Sequence, residues 1–193
     1  LLILAGMFAA TTALAQPSMT IGVGLNQGVF AAEGKEDNFD ESGSLAATTV
    51  EYGAFEDTYG SIYVEFGNET ASIGLSYQGD VSTPTNVNEV GGAGSQGTPT
   101  STVSADFEDV ITLYGLVMLP MDLYLKAGIV NGDIQVNEVQ KSGNTYPDQD
   151  LEGYVVGLGV QKEASGANIR LELLGHQYDD VDATNGVATT GNH

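Results

Sequence analysis

Residues 106–131 alternate apolar and polar side chains with a period of two, and this pattern constrains the fold more than any other feature. Such alternation over about ten residues predicts a long β-strand with one apolar and one polar face. Ten residues at about 3.3 Å each, tilted near 45°, match the span of a membrane β-strand. Pro120, Met121 and Asp122 predict a tight turn between two such strands. One face carries Phe107, Ile111, Leu113, Val117, Leu119, Leu123, Leu125, Ala127 and Ile129.

The alternation recurs along the chain and predicts seven strands, at about 19–30, 59–67, 70–78, 106–119, 123–131, 151–161 and 168–178. The segments between them alternate between long and short. In a meander, this places the short turns at one end and the long loops at the other, as in bacterial outer-membrane barrels. The acidic segment 32–58 is too irregular to assign and is counted as a long connection. The segments 79–105, 132–150 and 179–193 are predicted to be loops, 132–150 with strand-like extensions at its base and the Gly/Ser/Thr/Pro-rich 79–105 mobile.

The predicted fold is all-β: an antiparallel, up-and-down transmembrane β-barrel of eight strands, preceded by a helical signal peptide. Single-chain barrels of this kind have even strand numbers. Seven strands are visible, so we expect this chain to be a fragment whose eighth strand lies beyond His193. Residues 1–16 form an uncharged apolar run that ends in Ala13-Leu14-Ala15, a signal-peptidase pattern. We therefore expect a signal peptide over 1–15 and a barrel domain over 16–193.

The charge of the chain excludes one class of partner and suggests another. Asp and Glu number 26 against 5 Lys and Arg, for a formal net charge of -21. A surface this negative repels phosphate backbones, so we expect no nucleic-acid partner. There is no cysteine, which excludes disulfides and thiolate metal sites. Carboxylates in the predicted loops are candidate ligands for divalent cations, although solvated loops are the favoured interpretation: Asp37, Asp40, Glu41, Asp179, Asp180 and Asp182.

Alternation alone does not say which face of the sheet points inward, because soluble and membrane barrels have opposite polarity. The polar faces are rich in Gly and Ser, which suits a narrow lumen, and they hold two of the five basic residues among carboxylates. We therefore predict a lumenal charge cluster of Glu65, Glu108, Lys126, Arg170 and Glu172. The predicted lipid-facing residues are Ile111, Leu113, Val117, Leu123, Leu125, Ile129, Leu158 and Leu171. A thin aromatic girdle is predicted at Phe66, Tyr77, Phe107 and Tyr154.

With these features in view, the mature chain resembles the small eight-stranded outer-membrane β-barrel proteins of Gram-negative bacteria, akin to the OmpA transmembrane domain and the opacity-like surface proteins. The resemblance covers about residues 17–178 and is one of pattern. It is carried by GAFEDTYGSIYVEFGNETASIGLSY and DFEDVITLYGLVMLPMDLYLKAGI. The final strand and its terminal aromatic residue are lacking. The resemblance implies a structural or surface protein of the outer membrane, surrounded by lipid and lipopolysaccharide, and not an enzyme.

Three functions are consistent with the sequence. The first is a non-enzymatic outer-membrane barrel that displays acidic loops and has a lumen plugged by paired charges. The second is a narrow, porin-like channel for small solutes, lined by the same charges. The third is a secreted, soluble, lipocalin-like barrel that binds a small apolar ligand. No catalytic, cofactor-binding or metal-binding residues are predicted, since the GxGxxG run at 92–97 has no helix after it.

Overall fold

The computed structural model describes residues 18–39, 44–89, 100–139, 147–165 and 167–181, and these form one antiparallel β-sheet. No described residue is helical, and no helix long and apolar enough to cross a membrane occurs in these ranges. The predicted signal peptide at 1–15 lies outside the described residues. The strands are β1 (Ser18–Phe39), β2 (Leu45–Gly67), β3 (Ala71–Gln78), β4 (Val81–Ser82), β5 (Asn86–Glu89), β6 (Thr100–Met118), β7 (Leu123–Val139), β8 (Gln149–Ala164) and β9 (Ala167–Tyr178).

Strand order follows chain order, which confirms the predicted all-β antiparallel meander. The sheet runs β1-β2-β3-β6-β7-β8-β9, and every neighbouring pair is antiparallel. The short strands β4 and β5 also pair with β6, beyond the stretch of β6 that β3 covers. β3, β4 and β5 therefore form a broken line along one edge of β6.

Three short connections lie at one end of the sheet, and each has a local chemical reason. The Asn68 side chain accepts hydrogen bonds from the backbone N–H groups of Thr70 (2.8 Å) and Ala71 (3.1 Å), which is a typical turn arrangement. Met121 and Asp122 both adopt left-handed backbone angles, with φ of 66° and 61°, which tightens the turn between β6 and β7. Ser165, directly after β8, also adopts a left-handed backbone angle, with φ of 53°.

At the other end, the strands run much further than the sequence predicted. Strand β1 reaches Phe39 and β2 begins at Leu45, so most of the long connection 32–58, which the sequence left unassigned, is a two-stranded ribbon. The predicted mobile segment 79–105 also contains paired strands, and the side chain of Val81 in β4 is fully buried. The prediction for 79–105 was wrong, and 32–58 could not be assigned, because acidic and Thr-rich strands lack the apolar alternation that marks the lower part of the sheet.

A β-bulge in β6 changes which face of the sheet each side chain meets. Between Glu108 and Ile111, two residues of β6 oppose the single Gly132 of β7, and Asp109 has φ of 50°. A bulge inserts one extra residue and so reverses the alternation beyond it. Phe107 consequently shares the face of Val110, whereas Glu108 points to the opposite face.

The sheet curls into a half-barrel, so that strands far apart in the sheet touch across its concave side. Arg170 of β9 binds Glu65 of β2, and the ring of Phe30 in β1 stacks on Phe107 of β6 with centroids 6.4 Å apart. No backbone pairing joins β1 to β9 in the part of the chain that the structure describes. The concave side is called the inner face below, and the convex side the outer face.

Glycines on the inner face make room for tyrosine rings from neighbouring strands. A Cβ atom on Gly22, Gly74 or Gly159 would overlap the ring of Tyr63, Tyr114 or Tyr124, respectively. Each tyrosine therefore lies flat across a neighbouring strand and still directs its hydroxyl inward. The Gly-rich polar faces seen in the sequence are thus the counterpart of large inner side chains and do not line an empty lumen.

Candidate functional site

The outer face of the lower sheet is a continuous band of exposed apolar side chains. Every long strand contributes to it at alternate positions, and the most exposed members lie on the two edge strands, with Leu25 at 84% and Leu173 at 80%. Monomeric soluble proteins rarely expose apolar patches of more than a few hundred Å². Members on the other strands include Ile62, Val64, Leu75, Ile111, Leu113, Leu125, Ile129, Val156 and Leu158.

The residues predicted to face lipid lie on this outer face. Six of them are exposed there: Ile111, Leu113, Leu125, Ile129, Leu158 and Leu171. The other two, Val117 and Leu123, are half-buried near the turn between β6 and β7. The predicted set therefore follows the band from the turn end to the bulge.

Strand β8 gives the height of the band. Its outer face carries Glu152 and Lys162 at the two limits, with Tyr154, Val156, Leu158 and Val160 between them. The ten steps from Glu152 to Lys162, at about 3.3 Å each, make roughly 33 Å of strand, which the tilt of about 40° typical of outer-membrane barrels would reduce to about 25 Å. That height equals the apolar band of a typical outer-membrane barrel, about 25 Å.

Three of the four predicted girdle residues lie on the outer face, and one does not. Phe66, Tyr77 and Tyr154 are exposed at the margins of the apolar band. The prediction for Phe107 was wrong, because the bulge turns this side chain inward. There it packs against a buried apolar cluster and stacks on Phe30.

On the inner face, Glu65 and Arg170 form a two-pronged ion pair. Arg170 donates from Nη1 to Glu65 Oε1 at 2.5 Å and from Nη2 to Oε2 at 2.7 Å. Its Nε donates to Gln161 Oε1 at 2.6 Å, and its guanidinium carbon lies 5.3 Å from the Tyr63 ring centroid. Glu65 is only 3% exposed. The pair ties the last strand, β9, to the second strand, β2.

A second ion pair lies beside the first. Lys126 donates to Glu172 at 3.2 and 3.4 Å, and Tyr124 Oη donates to Glu172 Oε1 at 2.7 Å. Tyr114 links the two pairs, because its hydroxyl donates to Glu65 Oε1 at 2.7 Å while Lys126 Nζ lies 4.1 Å from its ring centroid.

The four charged residues Glu65, Lys126, Arg170 and Glu172, here called the ionic plug, have the properties that allow charges to be buried. Two carboxylates balance two cations, so the plug carries no net charge. No buried side-chain nitrogen or oxygen in the described ranges lacks a hydrogen-bond partner. Buried ions persist in low dielectric only when paired and hydrogen-bonded in this way. The arrangement fills the inside of the curl near the turn end of the sheet.

Glu108 does not join the ionic plug, which corrects the prediction that it faces the lumen. The bulge places its side chain on the face of Asp133, and hence outward. Partial desolvation, followed by repulsion from the nearby carboxylates of Asp80, Asp106 and Asp109, raises the pKa of Glu108 above its ordinary value. Glu108 therefore belongs to an acidic region at the loop end.

Above the ionic plug, the inner face becomes apolar, which sequence reasoning missed. Val110, Val130, Leu151 and Val155 are all nearly inaccessible to solvent and form one cluster, here called the apolar plug. Phe107, Ile134, Leu174 and Tyr178 pack against it. The signal was present in the sequence: the inner positions of β7 and β8 change from Lys126 and Gly157 to Val130 and Leu151 on moving toward the loops.

The described residues contain no group of three or more His, Asp and Glu side chains that could hold a metal ion. The predicted cation ligands Asp40, Glu41 and Asp182 lie outside the described residues, as does the side chain of Asp37. Asp179 and Asp180 are exposed after β9.

Comparison with known proteins finds no family model, no curated protein and no solved structure that matches this chain.

Proposed function

We propose that this chain is a non-enzymatic, integral β-barrel protein of the bacterial outer membrane, with a plugged interior and acidic external loops. One observation carries the proposal: the sheet is inverted, with apolar side chains on the convex face and paired charges on the concave face. This polarity suits a structure surrounded by lipid.

The soluble alternative requires the opposite polarity. A lipocalin-like barrel would bury Leu113, Leu125 and Leu158 inside and leave Arg170 and Glu172 in water. In the structure the three leucines are exposed, and Arg170 and Glu172 are paired on the inner face. An exposed apolar band of this height would aggregate in water, whereas in a bilayer it is favourable.

The proposal includes a closed barrel of eight strands. Strands β1 and β9 run in the same direction, because six antiparallel steps separate them. Unpaired edges are costly in lipid, and one further strand, antiparallel to both, would satisfy them together. Export by a signal peptide over residues 1–15 is part of the same proposal, as is a location among outer-membrane lipid and lipopolysaccharide.

A plug is favoured over a channel because two different seals are stacked inside the curl. The ionic plug crosses from β9 to β2, and the apolar plug lies above it with no charged member. An ion crossing the barrel would have to break the first and then enter the second without water, which is costly.

The decisive experiment measures the free energy of unfolding by urea in lipid vesicles for the wild type and for Leu158→Arg. Leu158 lies near the middle of the outer band, so arginine there should cost about 2–4 kcal/mol, against about 0–1 kcal/mol for the control Gln177→Arg at its upper margin. The proposal fails if Leu158→Arg is harmless and the wild type stays soluble and monomeric without detergent.

Planar-bilayer recordings separate the plug from the channel. We expect no steady discrete openings from the wild type. Regular openings whose conductance changes in Lys126→Ala would instead establish the narrow channel, with the ionic plug as its selectivity lining.

A further inference from the structure

Two tyrosines of the inner face belong to the same arrangement of three residues on three neighbouring strands. In the first case Tyr114 of β6 lies directly opposite Gly74 of β3, which lies directly opposite Glu65 of β2. A side-chain atom on Gly74 would overlap Cζ and Oη of Tyr114, so the ring crosses above the glycine. Its hydroxyl then donates to Glu65 at 2.7 Å. We call such a set of three directly opposite residues a tyrosine rung.

The second tyrosine rung begins on another strand and runs the other way across the sheet. Tyr124 of β7 lies opposite Gly159 of β8, which lies opposite Glu172 of β9. Cζ and Oη of Tyr124 again lie above the glycine, and the hydroxyl donates to Glu172 at 2.7 Å. In both rungs the tyrosine crosses one strand and reaches a carboxylate oxygen on the next.

Tyr178 shows what happens when the third residue offers no acceptor. Tyr178 of β9 lies opposite Gly153 of β8, which lies opposite Val130 of β7. The tyrosine atoms nearest to this glycine are Cα and Cδ1, not the hydroxyl end of the ring. The hydroxyl instead lies 3.4 Å from Nδ1 of His176 on its own strand. The space above a glycine therefore does not by itself make a tyrosine cross the strand.

Tyr63 has the crossing orientation, but it crosses the edge strand. It lies on β2 opposite Gly22 of β1, and its Cζ and Oη are the atoms that a side chain on Gly22 would overlap. The guanidinium carbon of Arg170 lies 5.3 Å from the Tyr63 ring centroid, so the ring lies beside the ionic plug. Unlike the hydroxyls of Tyr114 and Tyr124, its hydroxyl donates to no residue that the structure describes.

The missing partner is specific to Tyr63 and is not a general property of this edge. On the same two strands, Asn26 Nδ2 donates to Ser61 Oγ at 3.0 Å. Every fully buried polar side-chain atom in the described ranges has a partner, so the Tyr63 hydroxyl is accessible at the open edge of β1. Tyr63 and Gly22 are thus the first two residues of a tyrosine rung whose third position lies beyond β1.

We propose that the strand that closes the barrel beside β1 presents a glutamate or glutamine directly opposite Gly22, and that its side-chain oxygen accepts a hydrogen bond from Tyr63. This residue would complete a third tyrosine rung and tie the closing strand to β2 across β1. The inference rests on the proposed function, which supplies the closing strand, and it adds which residue that strand carries and where.

The test supplies the closing strand as a peptide, because an exposed sheet edge can accept an added strand through backbone hydrogen bonds. The full chain in uncharged detergent micelles is titrated into the fluorescein-labelled peptide Val-Gly-Leu-Ser-Val-Gln-Leu-Ser-Val-Gly-Leu, and binding is followed by anisotropy. Its central glutamine shares the small, polar face that would point inward. Glutamine has the length of glutamate and adds no charge to the ionic plug, whose two cations and two carboxylates already balance. A matched peptide has methionine in place of the glutamine.

The measured quantity is the ratio of the two dissociation constants, methionine peptide over glutamine peptide, in the wild type and in Tyr63→Phe. We expect this ratio to be at least about fivefold higher in the wild type, because only there can the glutamine oxygen accept the hydrogen bond. Comparing ratios cancels any difference between the peptides in their affinity for the micelle. Tyr63→Phe retains the ring above Gly22, so folding should be preserved, and circular dichroism checks this.

The control variant is Tyr52→Phe, which removes the hydroxyl of an exposed tyrosine on the outer face of the same strand. Its ratio should equal that of the wild type. A preference for glutamine that Tyr52→Phe abolishes and Tyr63→Phe retains would place the peptide elsewhere and overturn the inference.

Two further results would overturn the inference, and they differ in what they mean for the proposed function. If both peptides bind and the ratio is the same in the wild type and in Tyr63→Phe, a strand closes the sheet without completing the rung, and the closed barrel stands. If neither peptide binds the wild type, the edge of β1 accepts no strand, and the closed barrel fails together with the inference. The lipid-facing outer band is tested separately by Leu158→Arg in vesicles.

Discussion

The two halves of the inner face are filled by opposite chemistries. Near the turns, the ionic plug combines Glu65, Lys126, Arg170 and Glu172 with tyrosine hydroxyls. Near the loops, the apolar plug is built from Val110, Val130, Leu151 and Val155. Both halves lie on the same face of the sheet, and β7 contributes to both, with Lys126 in one and Val130 in the other. Inward orientation therefore does not determine polarity, and the inside of this curled sheet is filled by both kinds of side chain.

The ionic plug and the apolar plug contribute differently to the stability and the geometry of the sheet. An apolar cluster adds stability through burial, but it accepts many similar arrangements of its side chains. A two-pronged pair such as Glu65 with Arg170 adds little net stability over apolar residues of the same size, yet it demands one geometry. Because Arg170 lies on β9 and Glu65 on β2, we infer that the ionic plug fixes how far the sheet curls, while the apolar plug holds it together.

The largest expected effect comes from breaking the ionic plug on one side only. Glu65→Ala leaves the Arg170 guanidinium buried without its carboxylate, which should lower the free energy of unfolding by about 3–5 kcal/mol. Urea unfolding in lipid vesicles, followed by tyrosine fluorescence and circular dichroism, measures the loss.

The double variant Glu65→Leu with Arg170→Met is the matched control. It removes both charges and keeps side-chain volume, so it should lose much less than Glu65→Ala. If the double variant is less stable than Glu65→Ala, the ion pair is a main source of stability. That result would contradict the inference that the apolar plug supplies most of the stability and the ionic plug the geometry.

The sequence predicted the strand order and directions because period-two alternation is strong wherever one face of a strand is apolar. All seven predicted strands start inside an observed strand or within one residue of one, and the three short turns coincide. Four of the five predicted inner charges lie together on one face, because each occupies an inward position in the period-two alternation of its own strand. They are Glu65, Lys126, Arg170 and Glu172. The upper ribbons were missed because their pairing partners, rather than their own patterns, hold them in strands.

The remaining errors in the site trace to one residue. Asp109, in a left-handed conformation, adds the extra position in β6 that reverses the alternation. The sequence prediction assumed an uninterrupted period of two through this position, and it therefore assigned Phe107 and Glu108 to the wrong faces. A bulge has no fixed sequence signature apart from a preference for glycine at some positions, and here the residue is an aspartate. Local pattern therefore could not reveal it.

The apolar plug should respond to cavity formation. Leu151→Ala removes a nearly fully buried side chain from the cluster and should cost about 2–3 kcal/mol, since both burial and packing are lost. Leu158 lies on the outer face of the same strand, so under the proposed function Leu158→Ala would leave only a gap that lipid can fill and should cost only about 1–2 kcal/mol. Equal losses, measured by urea unfolding in vesicles, would mean that the inner cluster is not tightly packed.

A smaller effect is expected where glycine and tyrosine meet at the ionic plug. Gly159→Ala places a methyl group against the Tyr124 ring and should displace its hydroxyl from Glu172, at a cost of about 1–2 kcal/mol. Gly175→Ala, on the outer face of β9, meets only one backbone oxygen at ordinary contact distance and should be nearly neutral. If both substitutions were neutral, the Tyr124 ring could move without a loss of stability, and its position against Gly159 would not matter to the ionic plug.

The smallest effect concerns Glu108, which the bulge moved away from the ionic plug into an acidic region. Its pKa is raised, first by partial desolvation and then by neighbouring aspartates, so folding favours its protonated form. The folded state therefore carries a penalty at pH 7 that disappears as the pH falls through this raised pKa. Glu108→Gln should be slightly more stable than the wild type at pH 7, and the difference should shrink toward pH 4. Glu69→Gln, an equal charge change in a short turn, is the control. If Glu108→Gln were instead less stable than the wild type at pH 7, with a deficit that disappears as the pH falls, Glu108 would be held by a cation and would return to the ionic plug.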